Sequence, residues 1–164
     1  GYSAGGHLAG TVGTLWNSPL VRETLQIPSG EDRPDGMILG YPVITSGAYT
    51  HEDSIKFLLG EDRYQDEKER EKVSVEKLVN HDTPKAFLWH TFEDDLVPVE
   101  NTLKMADALR KEGVLFEMHI YPHGPHGLAI CDETTVDVKE NLNPYAAYVS
   151  SWVEHCIRWI REVL

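Results

Sequence analysis

The stretch Gly1-Tyr2-Ser3-Ala4-Gly5 matches the pattern G-x-S-x-G. This pattern describes a strand that runs into a sharp turn and then into a helix, with the serine exposed at the turn. Such a turn forces the serine into a strained backbone conformation, and neighbouring glycines keep Cβ atoms out of the crowded space. Gly1, Gly5 and Gly6 fit that requirement. The pattern is short, however, and alone it describes a glycine-rich loop equally well.

The residues after this stretch predict a helix and then a buried strand. Residues 5–16 have helical periodicity, with Leu8, Val12 and Leu15 on one face and small residues that permit close packing. Residues 36–44 form an apolar run of strand length with little alternation, as in a strand buried on both faces. Pro42 cannot donate a ladder hydrogen bond, so we expect the strand to end there.

Capping residues mark the later elements. Thr50 can cap a helix, and Gly60 and Gly113 stand where a left-handed residue is expected after a helix. The predicted segments are a helix at residues 50–59, a strand at 85–90, a helix from 98 to 112, a strand at 114–121 and a last helix that opens at Asn143 and Pro144. The last helix carries an apolar stripe that we interpret as core packing: Tyr145, Tyr148, Trp152, Cys156, Trp159 and Val163.

This alternation of helices and strands predicts the α/β class, with a parallel sheet of about three strands and helices on its flanks. In such folds the functional residues lie on loops after the carboxyl ends of the strands. Two loops of this kind carry suitable side chains. Asp94 and Asp95 follow the strand at 85–90, and His123 and His126 follow the strand at 114–121.

These residue types match the needs of a serine nucleophile. A serine hydroxyl is too weak an acid to attack a carbonyl unaided, so an imidazole must take its proton and a carboxylate must orient the imidazole. The order Ser, Asp, His along the chain is the order found in α/β-hydrolases.

Three segments carry a resemblance to a known family: residues 1–9, the stretch H-x-x-x-D-x-x-V-P-x-x-N at residues 90–101, and residues 121–127. In these the chain resembles the α/β-hydrolase serine esterases of the acetyl-esterase and acetylxylan-esterase-like group, over nearly its whole length. The resemblance implies Ser3 as nucleophile, Asp94 as acid and His126 as base. It also implies that the backbone N–H of Ala4 is an oxyanion donor.

Some alternatives remain at each position. The family acid lies three residues before the valine, which selects Asp94, but Asp95 and Glu93 adjoin it and Thr91 replaces the usual glycine. The family histidine directly precedes a glycine, which selects His126 over His123. The other histidines are interpreted as structural: His7, His51, His81, His90, His119 and His155.

The resemblance implies hydrolysis of short-chain acyl esters of the acetyl type, on a small-molecule substrate such as a carbohydrate ester, through an acyl-enzyme. A serine peptidase like prolyl oligopeptidase is the alternative enzyme, since its catalytic domain shares these motifs, although Ala4 is often aromatic or polar there. A non-catalytic interaction domain is the alternative outside enzymes.

Composition excludes several classes of protein. The net charge of −12, with 27 acidic and 15 basic residues, argues against a nucleic-acid partner. No apolar run is long enough to span a membrane. Cys131 and Cys156 are too few for a disulfide framework.

His123 and His126 have no third ligand nearby, so we predict no metal site and no cofactor. We also expect a cytoplasmic location.

The resemblance further implies that residues 1–164 are the C-terminal portion of an α/β-hydrolase domain, with the upstream strands and the oxyanion loop absent. We therefore expect the strand at 36–44 to have an unpaired edge that favours a homodimer. We expect a chain without its upstream strand to be weakly active or inactive, with Ser3 either displaced from His126 or poorly ordered.

Overall fold

A computed structural model describes residues 1–26, 28, 31–132, 135 and 146–164. Within these residues three strands form one parallel sheet in the order β1 (Gly36–Gly40), β2 (Lys85–Thr91) and β3 (Phe116–Tyr121). The sheet and its strands confirm the predicted α/β class. β1 ends two residues before Pro42, in agreement with the prediction that the ladder stops at this proline.

The helices flank this sheet. They are α1 (Ser3–Leu15), α2 (Pro19–Leu25), α3 (Glu52–Leu59), α4 (Glu61–Tyr64), α5 (Glu67–Lys72), a 3-10 turn at Val75–Lys77, α6 (Glu100–Lys111), α7 (Ala146–Val149) and α8 (Trp152–Glu162). Gly60 and Gly113 have positive φ angles at the ends of α3 and α6, as predicted. His51 rather than Thr50 precedes the first residue of α3.

The last predicted helix is two helices in the structure. A turn at Ser150 and Ser151 separates α7 from α8. The predicted start at Asn143 and Pro144 lies outside the described residues, as does Tyr145. Trp152, Cys156 and Trp159 are buried and Val163 packs partly against the same cluster, as predicted, whereas Tyr148 is exposed.

α1 packs on the sheet through a different face from the one predicted. Its buried residues are Gly6, Gly10, Gly13 and Thr14, while Leu8 and Val12 are 65% and 52% exposed. A Cβ at Gly13 would overlap the Met37 side chain of β1. The glycine face lets the helix backbone approach β1 closely, so the leucine and valine point away from the sheet.

The core has one layer on each face of the sheet. One layer joins the aromatic residues of β2 to α8 and includes Phe87, Trp89, Trp152 and Trp159. The other joins α1 and α6 to the sheet through Leu39, Leu88, Met105 and Leu109, among others. Both cysteines are buried free thiols in the first layer. In the part of the chain that the structure describes, no helix is long and apolar enough to cross a bilayer.

The first two residues lie along the outer edge of β1. The Gly1 amino group donates to the Ile38 carbonyl at 2.7 Å, and the Gly40 N–H donates to the Gly1 carbonyl at 3.0 Å. Tyr2 pairs with Gly40 in parallel. The edge that we expected to be unpaired is therefore covered at its carboxyl end, and the predicted homodimer through this edge stays a prediction.

Candidate active site

The serine lies on a strained turn between the Gly1–Tyr2 segment and α1. Ser3 has a φ of 51°, a value that L-residues rarely adopt outside constrained sites. Its carbonyl accepts a hydrogen bond from the Val43 N–H at 3.0 Å, which holds the turn against the loop after β1. A Cβ at Gly6 would lie 2.6 Å from Cβ of Pro42, so this glycine is required. Gly5 has open space at its Cβ position, and the prediction that it relieves crowding is wrong.

The structure brings Ser3, His126 and Asp94 into one hydrogen-bonded chain. The Ser3 Oγ lies 2.9 Å from His126 Nε2, and His126 Nδ1 lies 2.7 Å from Asp94 Oδ2. An ionised carboxylate only accepts hydrogen bonds, so Nδ1 carries the proton and Nε2 is free to accept from the serine hydroxyl. The expectation that Ser3 is displaced from His126 is wrong, because the pairing with β1 and the Val43 contact hold the turn in place.

Asp94 is buried in the loop after β2, and both of its carboxylate oxygens accept hydrogen bonds. Its Oδ1 accepts from the backbone N–H groups of Leu96 at 3.1 Å and Val97 at 2.9 Å. Its Oδ2 accepts from His126 and from a second histidine, His90, at 3.2 Å. Burial alone would raise the pKa of the Asp94 carboxyl, but the hydrogen bonds from both histidines and a backbone N–H hold the pKa well below its usual range.

His90 was interpreted as structural, and the structure places it against the Asp94 carboxylate. It is fully buried at the end of β2, and its Nε2 faces both the Asp94 carboxylate and the Val97 carbonyl, the latter at 2.9 Å. Both partners are acceptors, so Nε2 carries a proton. Its Nδ1 lies 2.7 Å from the Thr102 hydroxyl of α6. The signal in the sequence was the spacing H-x-x-x-D at the end of a strand, which places His90 against the carboxylate.

Tyr41 contacts the loop after β3, which carries His126. The Tyr41 ring packs edge-on against His126, with centroids 4.9 Å apart, and its hydroxyl accepts from the Ala129 N–H at 2.9 Å. Trp152 Nε1 donates to the Ala129 carbonyl at 3.0 Å. Burial raises the pKa of Tyr41 to about 12, so its hydroxyl stays protonated at ordinary pH. No sequence pattern marked Tyr41, because its role depends on two loops meeting in the fold.

The remaining candidates lie apart from the hydrogen-bonded chain. Asp95 is exposed next to Asp94. Glu93 pairs with His123 at 2.8 Å, also at the surface. His7 Nε2 lies 2.8 Å from the Val73 carbonyl, and because a carbonyl oxygen only accepts, Nε2 is the donor. His7 therefore ties α1 to the segment after α5, in line with the structural role that we expected.

Ala4 is exposed at the start of α1. The first backbone N–H groups of a helix have no partner within the helix and favour negative charge. Next to Ala4, an apolar groove of about 420 Å³ runs between α1 and α3. The residues that line it include His7, Leu8, Ile55 and Leu58.

This arrangement can move a proton from a serine hydroxyl to a histidine while a buried carboxylate balances the charge. A serine on a strand-to-helix turn, served by residues on the loops after two later parallel strands, is the arrangement of α/β-hydrolases. The profile of the prolyl oligopeptidase family matches residues 33–155, well over half of the chain. The chain therefore belongs to the prolyl oligopeptidase family.

The similar proteins include two enzymes known from their sequences and one enzyme with a crystal structure. The chain is 40% identical to endo-1,4-beta-xylanase B of Butyrivibrio fibrisolvens over 133 residues, 81% of this chain and 20% of that protein. It is 36% identical to an acetylxylan esterase of Xylanibacter ruminicola over 130 residues, 77% of this chain and 25% of that protein. The crystal structure of an acetyl ester-xyloside bifunctional hydrolase from Caldicellulosiruptor lactoaceticus matches with a TM-score of 0.78 and 39% identity.

That structural match covers 99% of this chain and 55% of the other. The chain thus spans about half the length of this solved relative, and a quarter or less of the two curated relatives. These likenesses confirm the predicted resemblance to the acetylxylan-esterase-like group of α/β-hydrolases.

Proposed function

We propose that this chain carries the catalytic residues of a serine hydrolase that cleaves short-chain acyl esters of the acetyl type. Ser3 is the nucleophile, His126 the general base and Asp94 the carboxylate that orients the imidazole. The observation that supports this proposal is the continuous hydrogen-bonded chain from the Ser3 Oγ through His126 to the Asp94 carboxylate.

The proposed reaction has two halves. The Ser3 hydroxyl gives its proton to His126 Nε2 as its oxygen attacks the ester carbonyl, and the Ala4 N–H stabilises the oxyanion that forms. The intermediate collapses as the alcohol leaves, protonated by His126, which gives an acyl-enzyme on Ser3. Water then attacks the acyl group, its proton goes to His126, and release of the carboxylic acid restores the serine.

The substrate class rests on the relatives. Two of them are named for acetyl esters and all three for xylose-based sugars, so we propose acetyl groups on a xylan-type carbohydrate as the substrate. The excess of acidic side chains in this chain agrees with a neutral rather than an anionic sugar polymer.

A serine peptidase is the second candidate, because the family is named for prolyl oligopeptidase. Peptidases of that type often have an aromatic or polar residue where this chain has Ala4, which favours the esterase. A non-catalytic interaction domain is disfavoured by the intact arrangement of serine, histidine and aspartate.

The test is a substrate panel. We expect release of acetate from p-nitrophenyl acetate and acetylated xylo-oligosaccharides, with no cleavage of a proline-based peptide amide, and loss of all activity in Ser3→Ala. Peptide cleavage that depends on Ser3 would move the proposal to the peptidase. Ester hydrolysis that survives Ser3→Ala would overturn the assignment of the nucleophile.

We propose that a second oxyanion donor lies in a segment that the longer relatives have and these 164 residues do not span. Loss of one such donor typically costs about 10²–10³ in turnover. We therefore expect the 164-residue chain to be a slower esterase than a longer form that contains the donor.

A further inference from the structure

A cluster of metal-ligating side chains lies outside the candidate active site, between β3 and α8. Side chains alternate along a strand, so Glu117 and His119 point to the same face of the sheet. That face is covered by α8, which is held there by Trp152 stacked on Trp89 at 5.1 Å. One turn after Trp152, His155 faces His119. From the sequence both histidines were interpreted as structural.

The three side chains are already close enough to share one ion. One ligand atom from each of Glu117, His119 and His155 lies within 4.8 Å of the other two. His119 Nε2 lies 2.8 Å from a Glu117 carboxylate oxygen, and the two imidazole rings stack with centroids 4.5 Å apart. Ligands at 2.0–2.1 Å from a tetrahedral zinc ion lie roughly 3.4 Å apart, so binding needs only side-chain rotations.

The surroundings favour an ion at this place. The side chains of His119 and Glu117 are 25% and 39% exposed, so an ion can enter from solvent and keep water as a further ligand. Phe87 packs against the His119 ring, with ring centroids 5.3 Å apart. Two imidazoles and one carboxylate form the ligand set His₂Glu, which binds Zn²⁺ in several enzymes.

We propose that Glu117, His119 and His155 bind one divalent transition-metal ion, with Zn²⁺ as the best match to the ligands. The ion joins the edge strand β3 to α8 and stabilises the packing of that helix. It shares no residue with the hydrogen-bonded chain at Ser3, so its role is structural and independent of the proposed ester hydrolysis.

The first measurement is Zn²⁺ titration of the metal-free chain, purified without a histidine tag, by competition with a chromophoric chelator. We expect one ion per chain. At a free Zn²⁺ concentration about one hundred times the Kd, the melting temperature should rise by roughly 5–10 °C. Half an ion per chain, or no binding tighter than millimolar, would overturn the proposal.

Variants locate the site. His155→Gln and Glu117→Gln should each weaken Zn²⁺ binding by at least ~10-fold, whereas His81→Gln, at a histidine whose side chain is 83% exposed, should leave it unchanged. Circular dichroism of each metal-free variant checks that it folds. If His155→Gln, which changes α8, does not fold, Glu117→Gln alone tests the site. Binding that persists in both cluster variants, or is lost instead in His126→Gln, would contradict the assignment.

Discussion

Asp94 is held by four hydrogen-bond donors, two from backbone N–H groups and two from imidazole rings. Its neighbour Asp95 has the same side chain one residue later and faces solvent. Charge-assisted hydrogen bonds to a buried carboxylate are much stronger than those at the surface, so only Asp94 can orient an imidazole with precision. Two adjacent, chemically identical residues therefore differ in role through their surroundings.

This difference predicts unequal effects of two matched substitutions. Asp94→Asn should lower the turnover of p-nitrophenyl acetate by about 10⁴, because the amide favours the wrong imidazole tautomer. Asp95→Asn should change turnover by less than about threefold, as expected for a surface site. Equal losses in the two variants, measured as kcat at saturating ester, would refute the role given to Asp94.

His90 is expected to act as a positioning residue, through Asp94 and without touching the substrate. His90→Leu removes one donor from the carboxylate, and a hydrogen bond to a charged group contributes about 1.5–3 kcal/mol, so kcat should fall on the order of 10- to 100-fold. KM should stay near its original value. Thr102→Val, which removes only the outer contact to His90, is the control and should have a smaller effect.

A purely structural role for His90 would give another pattern. Stability would then fall in the variant, while the kcat of the fraction that remains folded would be unchanged. Measuring kcat per labelled active site separates these two outcomes.

The low pKa of Asp94 also predicts how stability depends on pH. A carboxyl whose pKa is lower in the folded than in the unfolded chain stabilises the fold above its unfolded pKa, about 3.9, and loses that contribution as pH falls toward the folded pKa. The difference in unfolding free energy between the natural chain and Asp94→Asn should therefore be largest near neutral pH and shrink below about pH 4. Urea denaturation at a series of pH values measures this free-energy difference. A difference that grows as the pH falls would contradict the prediction.

Among the single elements, α1 shows how small side chains determine the position of Ser3. The helix contacts β1 and the loop after it through glycines, so its backbone lies close to the sheet and Ser3 lies at the carboxyl end of the strands. Its exposed leucine and valine contribute little to that packing.

Two glycines one position apart provide a matched test. At Gly6 a methyl group would lie 2.6 Å from Cβ of Pro42, so Gly6→Ala should destabilise the chain by about 1–3 kcal/mol and slow the reaction of Ser3. At Gly5 a methyl group meets open space, and Gly5→Ala should leave stability unchanged or raise it by up to ~1 kcal/mol through helix propensity. Thermal or chemical unfolding of both variants measures this, and equal destabilisation would show that the close approach to Pro42 has no effect.

The sequence predicted the order of strands and helices well, because buried apolar runs and terminating glycines are local signals. It did not predict which face of α1 is buried, since Leu8 and Val12 form a regular apolar stripe and the preference for the glycine face depends on β1. It missed the link between His90 and Asp94, and the meeting of His155 with Glu117 and His119. The spacing H-x-x-x-D was a local signal for the first contact, whereas the second joins β3 to α8, and hydrophobic periodicity does not report such a contact between distant segments.

At the scale of the whole molecule, Ser3, Asp94 and His126 come from three distant segments and meet only because the strands are parallel. The loops after β2 and β3 open at the same edge of the sheet, and the Gly1–Tyr2 pairing with β1 brings the serine turn to that edge. We expect this global arrangement to give a serine whose reactivity depends on His126.

The most direct test is the rate at which a fluorophosphonate probe labels the folded chain, with the modified residue located by mass spectrometry. We expect one label per chain, on the Ser3 Oγ, with labelling on the order of 10³-fold slower in His126→Gln and unchanged in Ser54→Ala. Prior denaturation should abolish the reaction. Labelling on another serine, or an equal rate in His126→Gln, would show that Ser3 is not activated by His126.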